Sequence, residues 1–495
     1  MKKTLLSVVL CACTAFPCAA QFAREEINLG HLEWLTKVQD GLGLVAVYAE
    51  RDIKTGEYRH VFAKGAGNKG KELEGVACVD DVARAAVLLL RYYRITGDVA
   101  ILERVKPYLE FLLRMQEKDG TFYNFVYADL SVNKKGRTSR KSVDWWMGRA
   151  IWALGSAFAV FQERDPALAR RLGAALDKTL PRLEPFLKKR GQYREAKLAG
   201  RAVRVPLWLI GDSGGLTAVV LLGITRYHEA APSPKTRELI MALGEGLAAF
   251  QYGDFNHPPF GAHMSWAQEP ELWHGWGNRQ VHALAYAGKV VGRKDFIESA
   301  VQEAEQWLSH LAVVQIPYKI AWGGESRAFE RIPYAQSCAV MDLHALGLAT
   351  GEERYHTLAG LLASWFYGNN STGEPMYDPA TGRGYDGISL KEGLPRRNMN
   401  SGGEATIETL LAVLDAASHP ASLRAMRMSR YHRPEIVTSE GKKREPALGE
   451  LLMPAGPMKE SVLRESRLFE NPASGEKIEL IRDYLKETVR IRELP

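Results

Sequence analysis

Acidic residues recur at the starts of strongly apolar segments: Asp80-Asp81, Asp144 and Asp212, with Glu404 one turn inside a later one. Two carboxylates are the minimum equipment for cleaving a glycosidic bond, one protonated to assist the leaving group and one ionised to activate water or attack the sugar. An aspartate at a helix start also satisfies free backbone N–H groups, so each acid has a structural use beside the chemical one. Glu404 lies four residues past Asn400 and is not placed as a cap. Burial there is expected to raise its pKa toward that of a general acid. The catalytic candidates are therefore Asp80, Asp81, Asp144, Asp212 and Glu404, with inversion the expected stereochemical course.

Around the same segment starts stand Trp145, Trp146, Trp208, Trp266, Trp273, Trp276 and Trp322, leaving four of the eleven tryptophans elsewhere. Indole faces suit the apolar C–H faces of pyranose rings. Arg149 and Arg279 sit about one turn inside their segments, placed to pair with the acids or to hold a hydroxyl or carboxylate. The expected substrate-binding set is Trp145, Trp146, Arg149, Trp273, His274, Trp276, Arg279, Trp322, Glu325, Tyr385, Asp386 and Asn400. His257, His263, His274, His282 and His344 lack metal-site spacing, and neither a phosphate-cradling glycine loop nor a serine nucleophile elbow is present. No metal or cofactor is expected.

Acids this far apart act together only if the fold gathers them, and a repeat supplies the means. Six Ala-rich apolar segments begin near Asp80, Asp144, Asp212, Trp276, Gln336 and Asn400, at spacings of 64, 68, 64, 60 and 64 residues. A helix that is apolar on every face must be buried on every face. More amphipathic stretches lie between them: Asp98 to Glu117, Pro166 to Lys189, Pro234 to Tyr252, Lys294 to Val313 and Glu352 to Tyr367. Pro107 should kink the first of these or mark its true start. Gly97, Gly292 and Gly351 are placed to end buried helices in the left-handed conformation. Buried helices alternating with half-exposed ones, six times over, predict an all-α, (α/α)6 toroid across 80–417, with the inner helices' N-termini around one funnel. Residues 21–79 are expected to hold a short helix near His31 to Val38 and a hairpin of Leu44 to Tyr48 with Tyr58 to Phe62. Residues 418–495, rich in charge and proline, read as an irregular appendage.

The chain has 495 residues, 46% of them apolar and 25% charged, ordinary values for a globular protein. Its formal charge of +7 includes Lys2 and Lys3 and contains no basic block dense enough for nucleic acid. Lys2-Lys3, the apolar run Leu5 to Phe16 and Cys18-Ala19-Ala20 read as an export signal over 1–20, with cleavage before Gln21. A lipoprotein signal acylated at Cys13 is the alternative. Beyond the signal only Cys78 and Cys338 remain, which does not make a disulfide scaffold. No later run is long enough to span a membrane.

The ordered motifs HLEWLT, VDDVARA, FYNF, SVDWWMGRAIWALG, WFYGNN, TGRGYDGI and NMNSGGEATIETLLA, from His31 to Ala417, carry a resemblance. This stretch resembles the α/α-toroid domain often attached to bacterial glycosyltransferases, within the six-hairpin glycosidase superfamily. The WWMGRAIWALG run is also similar to the W-x-R-G-x-x-W-A stretch of unsaturated glucuronyl hydrolases, with the arginine displaced. The resemblance implies a toroid that works on sugar. A glycoside hydrolase acting on an oligosaccharide or polysaccharide is the leading expectation. A polysaccharide lyase, with a base among His263, His274 and Tyr385 and a uronate held by Arg149, is the second. A toroid that binds carbohydrate without turnover is the third.

Overall fold

The computed structural model describes residues 15–62 and 74–495. Six helices, Val79–Thr96, Trp145–Arg164, Gly214–Ala230, Gln280–Val291, Pro333–Thr350 and Gly403–Ala417, pack each on the next, and the last packs on the first. That closure makes the chain an (α/α)6 toroid. The inner ring is buried because its sequence offers no polar face: Val82, Ala83, Ala85, Ala86, Leu88 and Leu89 leave no side of the first helix for water. Between the second and third inner helices two glycines permit backbone contact. A Cβ at Gly155 would lie 2.2 Å from the Gly223 carbonyl oxygen, and one at Gly223 would lie 2.4 Å from that of Ile151.

The outer layer holds Ala100–Met115, Pro166–Thr179, Pro234–Ala248, Lys294–Glu303 continuing to Val314, and Glu353–Ala363. Pro107 does not start the first of these; it lies inside the helix. Gly97, Gly292 and Gly351 do end inner helices, at φ of 71°, 75° and 77°. The sixth repeat's own outer helix, Pro420–Met426, is short. The N-terminal helix Ala15–Glu26 supplements it, packing on the first and sixth inner helices. Its buried Ala23, Arg24 on the Thr96 carbonyl at 2.7 Å, and Glu26 on Arg427 at 2.7 Å all follow the expected cleavage point. Residues 1–14 of the expected signal segment, Cys13 among them, lie outside the described residues, and 15–20 belong to this helix. No helix among the described residues is long and apolar enough to cross a membrane. Cys78 and Cys338 are free and buried.

Two regions differ from expectation. The N-terminal segment forms two hairpins, Thr36–Gln39 with Leu42–Val45 and Ala49–Arg51 with Tyr58–His60. The Asp40-Gly41 turn, both residues at positive φ, sets the first register and takes Leu44 away from the expected pairing with Tyr58 to Phe62. The tail is not irregular. Lys443–Arg444, Glu435–Thr438, Val462–Glu470, Lys477–Asp483 and Thr488–Leu494 lie in that order in a five-stranded antiparallel sheet. Its alternation is disguised because a cation occupies an inward position: Ile478, Leu480 and Arg482 are all buried. Arg482 pairs at 2.5 Å with Glu465, which also binds His310 of the outer layer at 2.6 Å. That charge cluster docks the sheet on the ring.

Candidate active site

Inner-helix N-termini converge on one mouth of the ring, and the caps there fall differently from the sequence expectation. Cys78 Sγ accepts the Asp81 N–H and Asn124 Oδ1 accepts that of Asp80, which frees both aspartate carboxylates for other partners. Asp144 is a cap in fact, accepting the Trp145 N–H at 2.8 Å. The third inner helix is capped by Ser213. Asp212 has a positive φ and turns aside to accept a hydrogen bond from Gln268 at 2.8 Å, so it is not gathered with the other acids.

Three arginines bind those acids at the axis. Arg84 is almost fully buried and reaches Asp81 at 2.9 Å, Glu404 at 2.9 Å and Glu408 at 3.1 Å. Arg279 holds the other oxygen of Glu408 at 2.6 Å. Arg149 pairs with Asp80 and donates to the Tyr334 hydroxyl at 2.9 Å. All three guanidiniums lie against the Tyr334 ring, at 4.6, 5.7 and 5.7 Å from its centroid. Helices one, two, four, five and six thus meet in one ion-pair network. Burial pushes the Asp81 carboxyl up to about 7 against the pull of Arg84, helped by repulsion from Glu404 and Asp80.

Glu404 was expected to be buried and instead has 49% of its side chain exposed, because it lies in the opening turn of its helix. The raised carboxyl beside it is Asp386. Burial pushes Asp386 up to about 6, opposed by the Gly402 N–H and helped by repulsion from Glu404 and Glu330. No arginine or lysine pairs with Asp386 among the described residues. Burial also raises Asp144, outweighing the cap bond from the Trp145 N–H, with a smaller contribution from Asp80 repulsion. The mouth therefore holds acids of two kinds: Asp80 and Glu404 locked to guanidiniums, Asp386 and Asp144 desolvated without one.

The aromatic residues divide as well. Trp145, Trp266 and Trp276 are half-buried at the mouth, with Trp145 6.2 Å from Trp266 and 6.5 Å from Trp276. Arg149 lies 5.1 Å from the Trp145 ring, joining this group to the ion-pair network. His274 stacks on Trp276 at 3.6 Å; burial lowers its pKa to about 3, and its Nε2 has no protein partner. The other tryptophans are structural. Trp146 donates to the Phe122 carbonyl at 2.7 Å, Trp208 donates to that of Ala242 at 2.9 Å, and Trp273 is 2% exposed against Trp307. Trp322 donates to the Leu452 carbonyl at 3.1 Å, holding the tail rather than facing the funnel. Glu325 is exposed near that turn. Tyr385 is buried beneath Arg397, and Asn400 accepts the Arg51 N–H at 3.1 Å, fastening the second hairpin beside the sixth helix.

Arg84, Tyr334 and Glu408 escaped the sequence reading. Arg84 and Glu408 each lie within a turn of an acid already singled out, a spacing that places them on the same helix face. Tyr334 was hidden by a late helix start: Pro333 at the first helical position is the signal that puts Tyr334 in the opening turn. Among the described residues no group of three His, Cys, Asp or Glu side chains is arranged to hold a metal ion.

No protein-family model matches the chain, and no curated protein sequence matches it. Solved structures do match. A sugar epimerase from a ruminal bacterium is 13% identical over 80% of this chain and 98% of its own, with a TM-score of 0.53. Cellobiose 2-epimerase from Bacillus thermoamylovorans gives the same values. A D-mannose isomerase is 11% identical over 85% of this chain and all of its own, with a TM-score of 0.51. At such identities the likeness is one of fold, and the toroid is that fold.

Proposed function

We propose that the protein is a carbohydrate-active enzyme, a glycoside hydrolase working at the acidic mouth of the ring outside the cytoplasm. The observation that carries this reading is the contrast between neighbouring acids. Asp386, raised to about 6 and without a counter-cation, is suited to protonate a leaving group. Glu404, exposed and oriented by Arg84 at 2.9 Å, is placed to activate water or attack the sugar. Trp145, Trp266 and Trp276 offer flat faces for sugar rings beside them. Toroid neighbours that process sugars support the substrate class. The test is release of reducing ends from a glycan panel by the wild type, Asp386→Asn and Glu404→Gln. Turnover by the wild type and its loss in both variants is expected; unchanged rates in the variants would refute the assignment.

A second reading rests on Tyr334, whose hydroxyl accepts from Arg149 among three guanidiniums. A tyrosine so placed suits proton abstraction next to a carbonyl or carboxylate, the step that epimerases and lyases share. Deuterium incorporation from D2O into unreacted sugar marks epimerisation, ultraviolet absorbance of an unsaturated product marks elimination, and new reducing ends with neither mark hydrolysis.

A further inference from the structure

At the opposite end of the ring a second polar cavity is lined by Arg91, Arg94, Ser156, Arg226, His282 and Tyr286. Arg91 and Arg94 lie in the last turns of the first inner helix, Arg226 near the end of the third, and Tyr286 on the fourth. Two of the arginines are neutralised: Arg91 by Asp415 at 2.5 Å and Arg226 by Glu229 at 3.0 Å. The Tyr286 hydroxyl also donates to Glu229. Arg94 makes no ion pair among the described residues, which leaves the cavity one cation in excess. Arg94 stands at the exposed rim of the cavity, beside Arg226 and Arg91. A second sign of a missing ligand is His282, which is 5% exposed and has its Nδ1 buried without a hydrogen-bond partner. The cavity volume is about 20 Å3, room for one small ion and too little for a sugar ring.

We propose that this basal cavity binds one small inorganic anion, held by Arg94 and Arg226 with Ser156 and the His282 ring as neutral donors. The anion neutralises the surplus guanidinium and joins the first, second, third and fourth inner helices from below. Its roof is Trp152, which lines the cavity and also lies 5.2 Å from Arg279 of the upper network, so the two sites share one side chain.

The test is isothermal titration calorimetry of the full chain with inorganic phosphate in gluconate buffer of constant ionic strength. One saturable site is expected in the wild type. In Arg94→Ala the affinity should fall by about 10- to 100-fold, the worth of one charge-assisted hydrogen bond. Arg94→Lys, which keeps the charge, should fall between the two. Sulfate should displace phosphate and glucuronate should not. Absence of saturable binding in the wild type, equal affinity in Arg94→Ala, or displacement by glucuronate as effective as by sulfate would overturn the proposal.

Discussion

The two mouths of the ring carry opposite charge patterns built on the same six helices. At the upper mouth Asp80, Asp81, Glu404 and Glu408 surround three arginines. At the lower one Arg91, Arg94 and Arg226 outnumber Asp415 and Glu229. Helix geometry accounts for the polarity, since amino ends carry partial positive charge and favour acids while carboxyl ends favour cations. What the dipole does not require is the surplus at each end. Asp386 without a cation above and Arg94 without an anion below are the groups left for ligands. The comparison also separates chemistry from architecture: the fully buried pairs of Arg84 and Arg279 with Glu408 join helices, and the groups with exposed or unpaired atoms, Glu404 and Asp386 above and Arg94 below, are available to react or bind.

The sharpest way to break this contrast is Asp386→Asn, which should lower kcat by about 10^2- to 10^4-fold, the usual worth of a general acid, with little change in KM or Tm. Steady-state kinetics and a melting curve check it. Next in size is Arg84→Met, which leaves Asp81, Glu404 and Glu408 without their shared cation. It should destabilise the fold by about 3–5 kcal/mol in denaturant titration, part of which the additional change Asp81→Asn should restore, since Asp81 has no other cation among the described residues while Glu408 keeps Arg279. Gly155→Ala tests the ring's spacing, because the new methyl group meets the Gly223 backbone at 2.2 Å. A loss of about 1–3 kcal/mol is expected, from overpacking alone.

Smaller effects come from pH. The proton on Asp386 is needed for catalysis and is lost as pH rises through about 6, so kcat should fall on that limb in the wild type. Asp81 adds a stability signature. Its folded value of about 7 stands above the ordinary 3.8, so between those values the folded chain holds a proton that the unfolded chain has released. Stability should therefore fall as pH rises across that window, and Asp81→Asn should flatten the dependence in melting curves.

Much of the ring was legible in sequence because burial on every face leaves a signature that no partner is needed to read. The six apolar segments, their spacing and the glycines at 97, 292 and 351 all report local conditions. The tail sheet was not legible, since Arg482 occupies an inward position that only its pairing with Glu465 makes tolerable. The site was legible in part for the same reason. Asp80, Asp81, Arg149, Arg279 and Glu404 stand where the repeat puts helix starts. Whether an acid is free or bound depends on residues from other helices, and Arg84 settles that for Glu404 across 320 positions of sequence. Trp146 and Trp273 belong to the same surface in sequence and to the core in space, because a hairpin strand and a helix flank turned their rings inward.

The most direct measurement compares one activity assay across the two mouths. Reducing-end release from a glycan panel should be abolished by Asp386→Asn and retained by Arg94→Ala, with both variants folded by circular dichroism. Full activity in Asp386→Asn would contradict the placement of the chemistry at the acidic mouth, and its loss in Arg94→Ala alone would move it to the other end of the ring.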